Sequence, residues 1–356
     1  MNKKEFTGLY EDAISLLKQL IAIPSFSKEE QGTAVALLQF LNSRNILSHR
    51  RMNNVWALNK HYDANKPTIL LNSHHDTVKP NKDYTLDPFT PLEKEGKLFG
   101  LGSNDAGASL VSLLAVFLHF HERNDLKYNL VFAASAEEEI SGNNGVQALL
   151  TELGKVDFAI VGEPTQMEMA VAEKGLMVLD CVCKGKSGHA ARDDGDNAIY
   201  KAMNCVAWFK NYTFSKATPL LGPVKMSVTM ISAGTQHNIV PAECHFAVDI
   251  RINECYTHEE VLETVRQHVN CDVEPRSMRL RSSSISLEHP IVKAGLGLGL
   301  KYYGSPTLSD KALMPFPALK IGPGDSARSH TADEYIYIDE IKKGIDIYIE
   351  MLNNIL

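Results

Sequence analysis

Residues 69–76 read Ile-Leu-Leu-Asn-Ser-His-His-Asp, a short apolar run that leads directly into a polar cluster. Three later apolar runs share this arrangement. They are residues 130–134 before Glu137-Glu138-Glu139, residues 158–161 before Gly162-Glu163-Pro164, and residues 318–321 before Gly322-Pro323-Gly324-Asp325 and His330. Apolar runs of this length are typical of buried strands, and helical patterns separate several of them. The sequence therefore predicts an α/β fold with a mainly parallel sheet sandwiched by helices.

The polar clusters are expected to lie close together. In an open α/β sheet, ligands bind beyond the carboxyl ends of the strands, where the loops converge. Several carboxylates gathered there would repel one another unless cations were present. Histidine and carboxylate side chains are ligands that suit zinc. We therefore predict a metal site at this edge of the sheet.

The remaining patterns predict helices and a second unit. Residues 10–20 and 33–47 carry apolar residues at helical spacing, and the apolar run 106–120 predicts a buried helix, because it is too short to cross a membrane. Residues 177–250 alternate as strands do. Because the strand at 318–321 belongs to the first sheet, we expect an α+β unit inserted at 176–284, between parts 1–175 and 285–356 of the first domain.

Two helices are predicted inside this insertion. One covers residues 197–209, and the other covers residues 258–269, where Thr257 and Glu260 have the spacing of a capping box.

Composition is that of an ordinary globular protein, with 44% apolar and 22% charged residues in 356. A net charge of -7 without a basic cluster gives no reason to expect a nucleic-acid partner. The first ten residues lack the apolar core of a signal peptide, so we expect a cytoplasmic protein without membrane attachment. Of the six cysteines, the nearest pair, Cys181 and Cys183, is expected on opposite faces of a strand. We therefore expect free, mostly buried thiols and no cysteine zinc site.

Five motifs resemble, in order and over nearly the whole chain, those of the dizinc metallopeptidase family. This family includes acetylornithine deacetylase, succinyl-diaminopimelate desuccinylase, aminoacylase and glutamate carboxypeptidases. The acetylornithine deacetylase branch is the most similar. The matching segments are His74-His75-Asp76, residues 98–105 ending in Asp105, Glu138-Glu139, residues 161–165 around Glu163, and Gly322-Pro323-Gly324 with Ser329-His330-Thr331.

The resemblance implies two zinc ions, with cobalt and manganese as possible substitutes. His74 and Glu163 would bind one ion, Glu139 and His330 the other, and Asp105 would bridge both. The metal that fills such a site depends on geometry and supply, so the sequence leaves its identity open.

Catalytic roles follow from the same resemblance. Asp76 would orient the imidazole of His74. Glu138 would take a proton from the attacking water and return it to the leaving amine. The family usually has aspartate where this chain has Glu137, so a register shifted by one residue, with Glu137 as base and Glu138 as ligand, stays open.

The inserted domain is implied to form a dimer and to act as a lid. Residues 185–190 resemble a lid motif whose histidine, here His189, stabilises the oxyanion in the partner's site. Asn238 and Arg251 lie in segments that resemble substrate contacts, and both suit a carboxylate. Ser309, Asp310 and Lys311 are further candidates for the lining of the pocket.

The function implied is hydrolysis of the amide bond of an N-acyl amino acid, such as N-acetylornithine or an acyl-citrulline, within arginine biosynthesis. Desuccinylation of succinyl-diaminopimelate and hydrolysis of short peptides are the alternatives within this chemistry. A non-catalytic metal-binding scaffold is the alternative from another class, although such a protein would be free to lose the base or a ligand. A nucleotide-binding protein would need a glycine-rich loop after the first strand, where this chain has residues 73–76 instead.

Overall fold

The computed structural model describes the backbone from residue 3 to residue 356, and the side chains from residue 7. The chain divides into two compact units. The first unit comprises residues up to Val171, Ser284–Tyr303 and Ser309–Leu356, and the second comprises Ala172–Ser283 and Gly304–Leu308. No pattern in the sequence predicts that the chain returns to the second unit at Gly304–Leu308.

Both units contain helices and strands. The helices are α1 (Lys3–Ile21), α2 (Gln31–Asn42), α3 (Ala108–His121), α4 (Val146–Leu150), α5 (Ala198–Asn211), α6 (His258–His268), α7 (Pro290–Gly297) and α8 (Ile338–Asn353). The strands are β1 (Ser48–Arg51), β2 (Asn54–Leu58), β3 (Thr68–His74), β4 (Leu92–Lys94), β5 (Lys97–Phe99), β6 (Asn129–Ser135), β7 (Phe158–Val161), β8 (Met169–Glu173), β9 (Gly175–Lys184), β10 (Gly188–His189), β11 (Lys225–Ala233), β12 (Ile239–Val240), β13 (Glu243–Ile252), β14 (Asp272–Pro275), β15 (Ser283–Ser284), β16 (Tyr302–Ser305), β17 (Ala318–Lys320) and β18 (Tyr335–Tyr337).

In the described part of the chain, nine strands form one large sheet in the order β1-β2-β6-β3-β7-β17-β8-β15, with β16 paired to β8. The four central strands β6, β3, β7 and β17 run parallel, whereas β1 and β2 on one side and β8 on the other pair in the antiparallel sense. This arrangement confirms the predicted α/β class with a mainly parallel sheet. Three smaller sheets lie outside it: β10-β12, β11-β13-β9-β14 and β18-β5-β4.

Both faces of the large sheet are covered by apolar cores. Successive side chains of a strand point to opposite faces, so each strand contributes to both cores. Ile69 and Leu71 of β3 belong to the apolar core that contains helices α1, α3 and α8, whereas Leu70 belongs to a second core with Leu149 of α4. All seven residues of β3 and of β6 are buried. Burial on both faces explains why the sequence of these strands reads as a continuous apolar run rather than as an alternation.

The segment Ser103–His121, which contains α3, is the one helical stretch in residues 3–356 that is long and apolar enough to cross a membrane. Its apolar window is 83% buried inside the fold, as the sequence predicts for a core helix.

The second helical pattern is shorter than predicted. Helix α2 ends at Asn42, not at residue 47, and β1 begins at Ser48. Asn45 has a φ of 58°, a left-handed conformation that asparagine tolerates and that a helix cannot contain. The helical spacing of apolar residues extends past this turn in the sequence because Ile46 is also buried, and this made the predicted helix too long.

The second unit has the predicted α+β character. Its four-stranded antiparallel sheet carries helices α5 and α6, and Thr257 caps α6 through the expected capping box with Glu260. The expectation that Cys181 and Cys183 lie on opposite faces of a strand is wrong: they lie two residues apart in β9 and point to the same, buried face. All six cysteines have free thiols.

Candidate metal centre and active site

The predicted polar clusters meet at the carboxyl edge of the four parallel strands. His74 is the last residue of β3, the turn Glu138–Ile140 follows β6, Glu163 follows β7, and the loop after β17 leads to His330. The carboxyl ends of neighbouring parallel strands lie at the same edge of a sheet. Segments that are far apart in the sequence therefore contribute adjacent side chains there.

His74 is held from its Nδ1 side. Nδ1 lies 3.0 Å from the backbone carbonyl oxygen of Asp76 and 3.5 Å from Oδ1 of the Asp76 carboxylate. An Nδ1–H that donates to the carbonyl leaves Nε2 free to accept on the opposite side of the ring. The backbone of Asp76 is therefore nearer to His74 than the carboxylate to which the family resemblance assigns this contact.

The Asp76 carboxylate instead organises the acidic turn. It accepts hydrogen bonds from the backbone N–H of Glu138 at 3.0 Å, from that of Glu139 at 3.2 Å, and from the Ser27 hydroxyl at 2.7 Å. Burial opposes its charge, but these contacts together with His74 hold the pKa of Asp76 below its usual value. Asp76 thus fixes the position of both glutamates that follow β6.

Asp105 lies between two histidines. Its Oδ1 is 3.2 Å from Nε2 of His74, and its Oδ2 is 3.7 Å from Nε2 of His330. The His330 Nε2 also lies 3.0 Å and 3.2 Å from the two oxygens of Glu139. One carboxylate therefore presents an oxygen to each of the two imidazoles.

Two further glutamates approach the His74 side. Oε2 of Glu138 and Oε1 of Glu163 each lie 4.0 Å from Nε2 of His74. The donor atoms of His74, Glu138 and Glu163 fall within 4.8 Å of one another, and so do those of His74, Asp105 and Glu139. Each of these groups could hold a metal ion.

The electrostatics of the cluster fit divalent cations. Burial raises the pKa of Glu138 well above its usual value, and burial raises the pKa of Glu163 to about 8 although His74 is near. Carboxyls with such pKa values would take up protons at neutral pH unless positive charge compensated them. Imidazole and carboxylate donors at this density match the ligand set of a site with two metals.

Glu137 does not join the cluster. Its carboxylate accepts hydrogen bonds from the backbone N–H of Asn144 at 3.3 Å and from the side-chain amide of Asn144 at 3.0 Å. Its own N–H donates to Glu30. The shifted register would need this carboxylate at the cluster as the base, whereas the carboxylates of the triplet that lie there are those of Glu138 and Glu139.

Glu334 is a supporting residue that the sequence analysis missed. Its buried carboxylate accepts three backbone N–H groups, from Gly102 at 3.0 Å, Asn104 at 2.8 Å and Asp105 at 2.9 Å. Burial raises its pKa to about 8, with the nearby Asp105 charge adding to the effect. Glu334 thereby fixes the turn that carries Asp105, and nothing in its sequence context distinguishes it from a surface glutamate.

Asp310, named only as a candidate for the pocket lining, is buried next to the cluster. Its Oδ2 accepts from the Asn72 amide at 2.9 Å and from the Ser135 hydroxyl at 2.5 Å. Burial raises its pKa to about 6. Asn72 and Ser135 lie in β3 and β6, so the partners of Asp310 come from the two strands that position His74 and the glutamate turn.

The candidates in the second unit are only partly brought together. His189 and Asn238 are exposed and close, because β10 pairs with β12 and the Ala190 N–H donates to the Asn238 carbonyl at 3.0 Å. Arg251 lies eight residues from the start of β13, about 26 Å along the strand. Its guanidinium donates to both oxygens of Asp249, at 2.8 Å and 3.0 Å.

Comparison with known proteins identifies the family. The model of peptidase family M20/M25/M40 matches residues 70–354. A succinyl-diaminopimelate desuccinylase from Wolbachia pipientis subsp. Culex pipiens is 25% identical over 96% of this chain and 93% of its own length.

Solved structures share the fold over the whole chain. An M20 family metallo-carboxypeptidase from Sulfolobus solfataricus has a TM-score of 0.77 at 17% identity and covers 100% of this chain and 99% of its own. A Bacillus subtilis protein, described as a dinuclear metal binding peptidase from the M20 family, has a TM-score of 0.73 at 16% identity over 97% of this chain and 98% of its own. These matches confirm the resemblance found in the motifs, and the chain belongs to the metal-dependent hydrolases of peptidase family M20/M25/M40.

Proposed function

We propose that this protein hydrolyses the amide bond of an N-acyl amino acid with two divalent metal ions. The observation that carries the proposal is the position of Asp105, with one carboxylate oxygen toward His74 and the other toward His330. His74 and Glu163 would hold one ion, Glu139 and His330 the other, and Asp105 would bridge them. Zinc is the proposed ion, and cobalt or manganese would suit the same donors.

When bound, such a pair of ions would polarise the substrate carbonyl and lower the pKa of the attacking water, so that a base can take its proton at neutral pH. Glu138 is the proposed general base. Its carboxylate lies on the His74 side of the cluster, and Asp76 fixes its backbone N–H. The same carboxyl would return the proton to the leaving nitrogen.

The relatives favour a substrate different from the one expected from the motifs. Curated relatives from Wolbachia, Delftia, Ruegeria and Coxiella carry the name succinyl-diaminopimelate desuccinylase. We therefore propose succinyl-diaminopimelate as the first substrate to test, which would place the enzyme in lysine rather than arginine biosynthesis. N-acetylornithine and N-acyl-citrullines share its secondary amide and free carboxylate and stay in the test panel.

We further propose a homodimer formed through the second unit. Strand β11 is an edge strand, and Met230 and Ile231 on it are 64% and 58% exposed. A long edge strand with exposed apolar side chains is a template for pairing with a second chain. His189 and Asn238 would then act in the active site of the partner, with His189 stabilising the oxyanion.

A cytoplasmic location is proposed as well. Six free cysteines are typical of a protein that works in a reducing compartment.

The deciding experiment is a hydrolysis panel. Purified protein would be stripped with a chelator, reloaded with zinc, cobalt or manganese, and assayed on succinyl-diaminopimelate, N-acetylornithine, N-acetyl- and N-succinyl-citrulline, and dipeptides. We expect no turnover without metal and the highest kcat/KM on the succinyl compound. Preference for a dipeptide would replace the substrate proposal, and absence of turnover on every compound with metal-loaded protein would contradict the function itself.

A further inference from the structure

The second unit contains a cysteine cluster that the proposed reaction does not use. The Sγ atoms of Cys183, Cys205 and Cys271 all lie within 4.8 Å of one another, and those of Cys183 and Cys205 are 3.8 Å apart. We propose that these three cysteines bind a thiophilic divalent cation of the Zn²⁺ class, at a site separate in its ligands from the histidine and carboxylate cluster.

Three different segments of the fold bring the sulfur atoms together. Cys183 lies in the central strand β9, and Cys205 lies in helix α5, which packs on the same buried face. Cys271 immediately precedes β14, whose pairing places Asp272 opposite Val182 and Val273 opposite Cys181. Continuing this register by one residue sets Cys271 opposite Cys183, so the site is built by sheet pairing and by helix packing together.

The distances match metal coordination better than a disulfide. Two thiolates bound to one tetrahedral ion at about 2.3 Å are separated by about 3.8 Å. A disulfide would require the sulfurs of Cys183 and Cys205 to approach to about 2.05 Å. Thiolate ligands select soft cations such as Zn²⁺ and Cu⁺.

Charge favours the divalent ion. Three thiolates around Zn²⁺ carry a net charge of about -1, whereas the same thiolates around Cu⁺ carry about -2, and burial makes the larger charge more costly. The site lies in the apolar core of the second unit: Cys183 is fully buried and Cys205 is 4% exposed, while Cys271 is partly exposed and offers a path for the ion.

Cys181 is the candidate for the fourth ligand position. Cys181 lies two residues before Cys183 on the same buried face of β9, and it is paired opposite Val273, two residues after Cys271. Burial raises the pKa of the Cys183 and Cys205 thiols, so both are protonated without an ion. Uptake of the cation would therefore release protons and weaken as the pH falls.

The test uses the full chain, reduced and stripped with a chelator, then titrated with Co²⁺. Thiolate ligands give a charge-transfer absorption in the near ultraviolet, which oxygen and imidazole ligands do not. We expect this band in the wild type and in the control Cys255→Ala, a cysteine outside the cluster. The double variant Cys183→Ala/Cys205→Ala should lose the band and about one ion per chain while it keeps its hydrolytic activity.

A second measurement needs no variant. Wild-type protein with and without Zn²⁺ would be alkylated and its peptides analysed by mass spectrometry, and the ion should protect Cys205 and Cys271 but not Cys255. A band that is absent from the wild type or that persists in the double variant would overturn the proposal. Equal alkylation with and without Zn²⁺ would do so too, and would leave the cysteines as core packing only.

Discussion

At the scale of single residues, the buried carboxylates around Asp105 divide into two kinds. Some face the cluster and are candidate ligands, whereas Asp76 and Glu334 accept backbone N–H groups and hold other residues in place. Supporting groups of this kind determine how accurately ligands are positioned. Their substitution should therefore affect metal binding although they are not proposed to touch the metal.

Glu334→Gln is the clearest test of such support. The amide would place an N–H₂ group where one carboxylate oxygen now accepts a backbone N–H, and the turn that carries Asp105 would shift. We expect metal affinity and kcat/KM to fall about 10- to 100-fold, measured by competition with a chromophoric chelator and by hydrolysis rates. Asp339→Asn, an exposed carboxylate of α8, is the matched control. Equal values for both variants would show that Glu334 does not support the site.

The glutamate triplet gives a second prediction. Glu138→Ala should keep both metals yet lose activity about 100-fold or more, because the proton acceptor is gone. Glu137→Ala should keep the metals and most of the activity but lower the free energy of unfolding by about 1–3 kcal/mol, since the hydrogen bonds that Asn144 donates to the buried Glu137 carboxylate are lost. Metal analysis, turnover and urea denaturation separate the two. Loss of one metal from the Glu138 variant would instead favour the shifted register.

At the scale of elements, the sequence predicts the parts of the site that follow buried strands. The four central strands were recognisable because burial on both faces makes them continuously apolar, and the ends of parallel strands must converge. Glu334 and Asn72 were not recognisable, because each acts through a partner far away in the sequence. The cysteine cluster was missed for a different reason: residues two apart in a strand share a face, and the register of β14 against β9 cannot be seen in the sequence.

The capping box of helix α6, which the sequence predicts from Thr257 and Glu260, can be tested by mutation. The Thr257 side chain accepts from the Glu260 N–H at 3.1 Å, and the Glu260 carboxylate accepts from the Thr257 N–H at 2.7 Å. Thr257→Ala removes the cap and should lower the free energy of unfolding by about 1 kcal/mol in urea denaturation. Thr264→Ala, the same change inside the same helix, should leave it unchanged or raise it slightly. An equally large decrease in the free energy of unfolding for Thr264→Ala would mean that loss of the cap does not explain the result for Thr257→Ala.

At the scale of the whole molecule, the proposed active site is built from two chains. His189 and Asn238 are exposed on the second unit, and in one chain the guanidinium of Arg251 is paired with Asp249. A substrate contact from His189 is therefore proposed to come from a partner chain. The sequence supports this only through the family resemblance, because exposure of an edge strand depends on which strands pair.

Ile231→Asp tests the proposed dimer. A charge on the edge strand β11 should oppose pairing with a second chain and give monomers in analytical ultracentrifugation, with turnover falling as His189 is withdrawn. Leu47→Asp, at an exposed apolar residue of the first unit, should stay dimeric and active. A variant at Ile231 that remains a dimer, or a fully active monomer, would contradict the proposed interface.

The central claim is that Asp105 bridges two ions, and anomalous diffraction from crystals of the metal-loaded protein tests it most directly. Data collected at the absorption edge of the bound metal should show two peaks about 3.5–4 Å apart, one beside His74 and Glu163 and the other beside His330 and Glu139, with Asp105 between them. A single peak, or two peaks without Asp105 between them, would contradict the account.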